Sequence, residues 1–151
     1  MDVDGSVDSQ RHAACGGVIR DRERNWVPGF KRSLGFLPSI LAEIQAICFS
    51  LEVCQQFNLS QVTICSDAAE AISLLRINVD DDHPMCAEIN SARDFLFSNS
   101  NIKLAFVRHE TNRVMYCLAK NAHMESDNLT VLANVPAECS DLVLTDKLRF
   151  A

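Results

Sequence analysis

Three acidic residues stand in or beside apolar segments of this sequence, where burial would be costly for a lone charge. Asp4 interrupts the apolar segment at residues 1–6, and Glu43 lies beside the apolar stripe of residues 40–57. Asp67 follows a short run rich in β-branched residues. A buried carboxylate without a partner shifts its pKa until it is neutral. Around Mg²⁺ or Mn²⁺ it stays ionised, because hard cations prefer oxygen ligands. The three acids are therefore candidate metal ligands.

Each acid also has an ordinary structural interpretation. Asp4 and Gly5 can form a turn, Glu43 can be a plain helix glutamate, and Asp67 can cap the helix that follows it. Two metal ions about 4 Å apart, by contrast, would activate a water and stabilise the leaving oxygen of a phosphodiester. The residue types alone leave both interpretations open.

Hydrophobic spacing predicts the elements that must position these acids. Short loops between the first three strands indicate an antiparallel meander. Helical segments precede the last two strands, and a helical crossover joins parallel strands, so the sheet is expected to be mixed. Ser39 is expected to cap the first helix. The predicted strands span residues 1–6, 13–20, 26–34, 61–65 and 102–107, and the predicted helices span residues 40–57, 67–77, 84–98 and 112–124.

The composition limits the classes of function. The chain has 151 residues, 48% of them hydrophobic, which predicts one domain with a packed core. No stretch approaches the roughly 18 apolar residues of a membrane span, and no secretory signal is evident. The net charge of −6 argues against strong electrostatic binding of nucleic acid phosphates. Residues 1–35 hold six basic and five acidic side chains, against eight and fifteen in the rest.

The seven cysteines form no C-x-x-C pair. We expect reduced, mostly buried thiols in a soluble cytoplasmic or nuclear protein. The aromatic side chains fall mostly on apolar faces, so we expect them to pack in the core rather than to stack on bases.

Several motifs in order resemble a known family. They are V-D-G-S, G-G-V-I-R-D, L-A-E-I-Q-A-I, I-C-S-D-A-A-E-A-I, H-P-M-C-A-E-I, S-A-R-D-F-L and V-R-H-E-T-N-R-V. Together they resemble the reverse-transcriptase-like ribonuclease H domains of plant genomes, over residues 1–124. The resemblance implies an α/β, ribonuclease H-like fold, with a five-stranded mixed sheet flanked by helices. Its first three strands would be antiparallel, with the fourth and fifth parallel to the first. We expect this domain at residues 1–126, with residues 127–151 as an extension or tail.

The resemblance also assigns the acids. Asp4, Glu43 and Asp67 correspond to three of the family's four metal-binding acids. The fourth position, four residues after Asn112, is Tyr116 here. A phenol is neutral at pH 7 and a poor magnesium ligand, so hydrolysis is expected to be weak or lost.

Further roles follow from the same resemblance. His109, in the loop before the last helix, would assist proton transfer or product release, and an exposed loop histidine is the alternative. Gly5 and Ser6 would let the backbone approach the substrate. Ser39 would offer a hydroxyl to the minor groove, and Asn112 would also contact the substrate.

Two functions remain as expectations. The first is Mg²⁺- or Mn²⁺-dependent hydrolysis of the RNA strand of an RNA–DNA hybrid by a monomer that does not bind membranes. Binding of hybrid or RNA would be weak, because acidic residues 80–82 occupy the place of the basic protrusion found in some ribonucleases H. The second is a degenerate nucleic-acid-binding or protein-interaction module with the same fold.

Overall fold

A computed structural model describes residues 1–21, 23, 25–77, 79–109, 113–121 and 130–149, without the side chains of 27, 28, 116, 120, 121, 130, 131 and 146–149. The strands are β1 (Asp2–Val7), β2 (His12–Arg20), β3 (Trp26–Phe36), β4 (Val62–Ser66), β5 (Ile102–Phe106) and β6 (Thr130–Leu132). The helices are α1 (Ser39–Gln56), α2 (Ala69–Arg76), α3 (Cys86–Ser98), α4 (Arg113–Asn121) and α5 (Ser140–Arg149), which follows a 3-10 turn at Ala137–Cys139.

The strands form one mixed sheet in the order β5-β4-β1-β2-β3-β6. β1, β2 and β3 are antiparallel neighbours, while β4 pairs in parallel with both β1 and β5. The predicted meander and the two parallel strands after it are therefore confirmed. The short strand β6 extends the sheet by pairing antiparallel to β3.

Helices cover both faces of the sheet. α1 packs across β1 and β2 on one face, and α4 packs across β1, β2 and β3 on the other. Strand residues alternate between the two faces, so one strand supplies both cores. The larger core includes Val3, Cys15, Phe30, Ile44, Ile47 and Ile64. The smaller core contains Val18, Val114, Met115, Leu118 and Cys139.

The segment expected as an extension or tail packs against the smaller core. Leu132, Val135, Leu142 and Val143 contact this core. The indole Nε1 of Trp26 also donates a hydrogen bond to the Leu132 carbonyl at 3.1 Å. The domain boundary at residue 126 itself stays a prediction. None of the described helices is long and apolar enough to cross a membrane.

The start of α1 corrects one prediction. Ser39 is the first helical residue rather than the cap, and its side chain is exposed. Pro38 takes the cap position with extended backbone angles (φ −58°, ψ 152°). Its carbonyl accepts hydrogen bonds from the N–H groups of Leu41 and Ala42 at 3.0 and 3.1 Å. Proline fixes φ near this value, so the chain turns into the helix one residue earlier than the hydroxyl residue suggests.

The prediction that aromatic side chains pack in the core is only partly correct. Phe30 and Phe49 are buried, and they lie inside a strand and a helix. The exposed rings lie at or near the ends of elements, where no opposing layer covers them. Among the described phenylalanines these are Phe36 (72% exposed), Phe57 (42%), Phe97 (92%) and Phe106 (57%).

Candidate metal centre

Asp4 is a buried acid in the middle of β1, with 3% of its surface exposed. It stands directly opposite Gly16 of β2. Its neighbours Val3 and Gly5 face α1 by the strand alternation, so Asp4 faces the α4 side. Among the described residues, its Oδ2 atom is buried and has no hydrogen-bond partner. A buried carboxylate oxygen left in this state is costly unless a ligand satisfies it.

Glu43 reaches the middle of β1, next to Asp4, from the second turn of α1. Its Oε2 accepts a hydrogen bond from the backbone N–H of Gly5 at 2.9 Å. A Cβ added at Gly5 would lie 2.5 Å from the Ala42 carbonyl carbon and 2.5 Å from the Glu43 nitrogen. Glycine is therefore required here for β1 to touch α1. This close approach is to α1, and a role for Gly5 toward a substrate stays a prediction.

Asp67 follows β4, and His109 follows the neighbouring parallel strand β5. The two strand ends are joined by the Val107 N–H, which donates to the Ser66 carbonyl at 2.9 Å. His109 Nδ1 lies 2.6 Å from Asp67 Oδ2, with the His109 side chain 65% exposed and that of Asp67 10% exposed. α2 begins at Ala69, with Ala68 as its cap residue and no side-chain cap. Asp67 therefore does not cap the helix.

The three acids form one cluster. One carboxylate oxygen from each of Asp4, Glu43 and Asp67 lies within 4.8 Å of the others. Burial, followed by the negative charges of Glu43 and Asp67, raises the pKa of Asp4 to about 9. Burial also raises the pKa of Glu43 to about 7, against the Gly5 hydrogen bond that lowers it. The acids thus cannot all ionise cheaply without a nearby cation.

The donor set fits a hard divalent cation. It consists of carboxylate oxygens, one of which is buried and has no hydrogen bond to the described part of the chain, and this chemistry suits Mg²⁺ or Mn²⁺. The residues that would hold the ion are Asp4, Glu43 and Asp67.

The other predicted site residues have mixed outcomes. Ser6 lies two residues beyond Asp4, on the same face of β1, and is half-buried. Ser39 lies one turn before Glu43 at the exposed start of α1. Asn112 lies outside the described residues. The backbone of Tyr116 belongs to α4, which packs on β1 and β2, while its side chain lies outside the described part of the chain.

The contacts of Asp67 with His109 and of Glu43 with Gly5 were not predicted from the sequence. The sequence does contain a signal for the contact between Asp67 and His109, because the carboxyl ends of adjacent parallel strands meet at one edge of a sheet. The second depends on how closely α1 approaches β1, and hydrophobic periodicity carries no such information.

Comparisons with known proteins agree with this arrangement. The family model described as reverse transcriptase-like matches residues 2–122. A curated Arabidopsis thaliana protein, provisionally named a ribonuclease H protein, is 26% identical over 136 residues, or 90% of this chain. The chain spans only about 22% of the length of that relative.

Solved structures share the fold. RNase H1 from the archaeon Halobacterium salinarum superposes with a TM-score of 0.71 at 22% identity, covering 80% of this chain and 93% of that one. LC11-RNase H1, isolated from compost and solved with an RNA/DNA hybrid, gives a TM-score of 0.71 at 18% identity, covering 81% and 94%. With a ribonuclease H fold and a family match over most of its length, the chain belongs to the reverse transcriptase-like family.

Proposed function

We propose that this chain is a divalent-metal-dependent nuclease of ribonuclease H type, which slowly hydrolyses the RNA strand of an RNA–DNA hybrid. The observation that carries the proposal is the convergence of Asp4, Glu43 and Asp67 within 4.8 Å in a chain of this family. The hybrid bound to LC11-RNase H1 supports the choice of substrate by analogy. Carboxylates brought so close suit the binding of a cation more than the stability of the fold.

The residues divide the work according to their surroundings. Asp4, the most buried of the three acids, offers the ion an oxygen that has no hydrogen bond among the described residues. Glu43 is aimed at the cluster by the Gly5 N–H. A bound Mg²⁺ or Mn²⁺ would supply Lewis-acid stabilisation and an activated water. His109, exposed and hydrogen-bonded to Asp67, is placed to exchange protons between the site and the solvent.

Two features keep the proposed rate low. Tyr116 occupies the position of the family's fourth acid, which removes one negative ligand from the site. The net charge of −6 also leaves little long-range attraction for a polyanion.

A cleavage assay tests the proposal. A hybrid with a labelled RNA strand is incubated with the wild type in Mg²⁺ or Mn²⁺, with EDTA as the blank. We expect slow cleavage that is faster in Mn²⁺, because Mg²⁺ demands a more ideal ligand geometry. Asp4→Asn should abolish it, while Asp94→Asn, the same substitution at an exposed position on α3, should not.

A second candidate function is binding without turnover. The observation that favours it is Tyr116 at the fourth ligand position. Hybrid binding by the wild type, with no cleavage in either metal and no difference from Asp4→Asn, would establish the binding module and reject the nuclease.

A further inference from the structure

An exposed pair of rings stands at the end of β3. Phe36 is the last residue of that strand and is 72% exposed. Its ring lies against the imidazole of His12, with 4.8 Å between the ring centroids and 37° between the planes. Single exposed apolar residues are common and need no function. The Phe36 ring, however, is paired with a second ring, and both rings lie on the same face of the sheet as the acid cluster.

The ring pair and Asp4 share one face of the sheet. Asp4 stands opposite Gly16 of β2, and the pairing of β1 with β2 has no irregularity. His12 lies four residues from Gly16 along β2, so both face the same side. Phe36 stands opposite His12 and contacts it. All three side chains thus project toward the side of the sheet on which α4 packs.

A bulge in β3 creates this placement. Ser33 pairs with Ala14, and Gly35 pairs with Ala13, which leaves Leu34 without a partner in the ladder. One extra residue reverses the alternation beyond it. In an unbroken strand the last residue of β3 would face α1. The bulge instead turns its ring to the side of the acids.

Asp8 holds the imidazole of the ring pair in place. Asp8 Oδ2 lies 3.2 Å from His12 Nδ1, and Asp8 Oδ1 accepts the His12 backbone N–H at 2.9 Å. Phe36 is 72% exposed, so the outer side of its ring is open to a partner. A held ring with an open approach loses little freedom on binding a flat partner.

The spacing suits a nucleic acid strand that passes the acids. Four residues of β2 separate His12 from the level of Asp4, which is about 14 Å at 3.4 Å per residue. This corresponds to about four steps of 3.4 Å along one strand of a duplex. A strand held at the acids would therefore reach the rings a few nucleotides away.

The chemistry of the surface favours a base over a phosphate. A protein with a net charge of −6 binds phosphates weakly. An aromatic ring, by contrast, stacks on any base, and this interaction does not depend on the net charge of the protein. Bases inside a continuous duplex already stack on their neighbours, and recognition by aromatic side chains targets unpaired bases. Arg11, exposed in the turn beside His12, offers a positive charge to the phosphate of a stacked nucleotide.

We propose that Phe36 and His12 form a stacking platform for an unpaired nucleobase. The preferred substrate is then an RNA–DNA hybrid with a single-stranded extension a few nucleotides from the cleaved bond, rather than a continuous hybrid. This inference rests on the proposed function, since it takes the acids as the cleavage site. It assigns Phe36 a substrate-positioning role.

The test compares two hybrids that differ only in a four-nucleotide single-stranded extension. The extension carries 2-aminopurine, whose fluorescence falls when it stacks. Affinities are measured by fluorescence anisotropy for the wild type, Phe36→Ala, Phe36→Trp and Phe97→Ala. Phe97 is the matched control, because it is 92% exposed but lies on α3, which packs on α1 and α2.

We expect the wild type to bind the extended hybrid about fivefold or more tightly than the blunt one, and to quench the 2-aminopurine. Phe36→Ala should bind both hybrids alike without quenching, while Phe36→Trp and Phe97→Ala keep the preference. Equal affinities in the wild type, or a preference that survives in Phe36→Ala, would overturn the platform and leave hybrid cleavage at the acids untouched. Failure of the wild type to bind either hybrid would instead refute the proposed function, and the platform with it.

Discussion

His109 Nδ1 lies 2.6 Å from Asp67 Oδ2, and the two residues follow neighbouring parallel strands. This contact links a side chain that is mostly in solvent to an acid that is mostly buried. The charge of His109 also lowers the pKa of Glu43, against the larger effect of burial. The histidine thus takes part in the electrostatics of the acid cluster, and its proposed role in proton transfer can be tested.

We expect His109→Ala to slow hybrid cleavage about tenfold or more, because general acid–base groups contribute at least this much when they act. His109→Asn separates the two possible roles, since asparagine keeps a hydrogen bond to Asp67 but does not titrate. Single-turnover rates measure the effect. Equal losses in both variants support proton transfer, whereas a normal rate in His109→Asn would reduce His109 to a positioning residue.

The acid cluster should make the metal-free protein less stable as the pH rises. The pKa of Asp4 rises from 3.8 to about 9 on folding, and that of Glu43 from 4.5 to about 7. The folded state therefore holds protons that the unfolded state releases. This contribution to stability is full below about pH 4. The part that comes from Glu43 is lost as the pH rises to about 7, and the part that comes from Asp4 is lost as the pH rises to about 9.

Urea unfolding in EDTA at pH 5, 7 and 9 measures this dependence. Asp4→Asn should flatten it, and Mn²⁺ should restore stability most at the high pH. A wild type as stable at pH 9 as at pH 5, both in EDTA, would show that these acids are not buried together.

Alanine substitutions at two glycines should lower the unfolding free energy by different amounts, because the two positions differ in the space around them. Gly5→Ala would place a methyl group 2.5 Å from the backbone of α1 at Glu43. Because the clash is with this backbone, α1 can move away from the methyl group only if Glu43 moves as well. We expect a loss of about 1–3 kcal/mol in unfolding free energy, together with weaker Mn²⁺ binding. Gly35→Ala meets none of the described residues within 4 Å, so we expect only the cost of its φ of +70°, about 1 kcal/mol, with Mn²⁺ affinity unchanged. The opposite ranking in Mn²⁺ affinity would place Gly5 away from the site.

Position 116 offers a gain of function. Tyr116→Asp adds a carboxylate on α4, the helix that packs over β1, and should raise the cleavage rate in Mg²⁺ more than in Mn²⁺. Tyr116→Asn is the matched control, because it removes the ring without adding charge. If both variants cleave equally fast, the increase in rate comes from removal of the tyrosine ring and not from a fourth metal ligand.

Much of the site could be predicted from the sequence, because it depends on element order. Asp4 and Asp67 stand in or just after parallel neighbouring strands, and Glu43 lies on the helix that packs against them. These placements follow from periodicity together with the family motifs. The N-cap residue of α1 was predicted wrongly, because Pro38 and not Ser39 occupies the cap position.

Other features depend on events that periodicity does not record. The side to which Phe36 projects is reversed by one unpaired residue, Leu34, and no pattern of alternating residues reveals a bulge. The strand β6 has only three residues, too few for a period of two to be recognised. Its place at the edge is set by its pairing with β3.

The most direct test of the metal centre is calorimetric titration with Mn²⁺ at pH 7 in buffers of different ionisation enthalpy. At this pH in the metal-free protein Asp4 holds its proton and Glu43 is about half protonated, so binding should release between one and two protons. We predict a buffer-dependent heat for the wild type and for Asp94→Asn, and its loss in Asp4→Asn. Mn²⁺ binding by Asp4→Asn with the wild-type affinity and the same proton release would contradict a metal centre built on Asp4, Glu43 and Asp67.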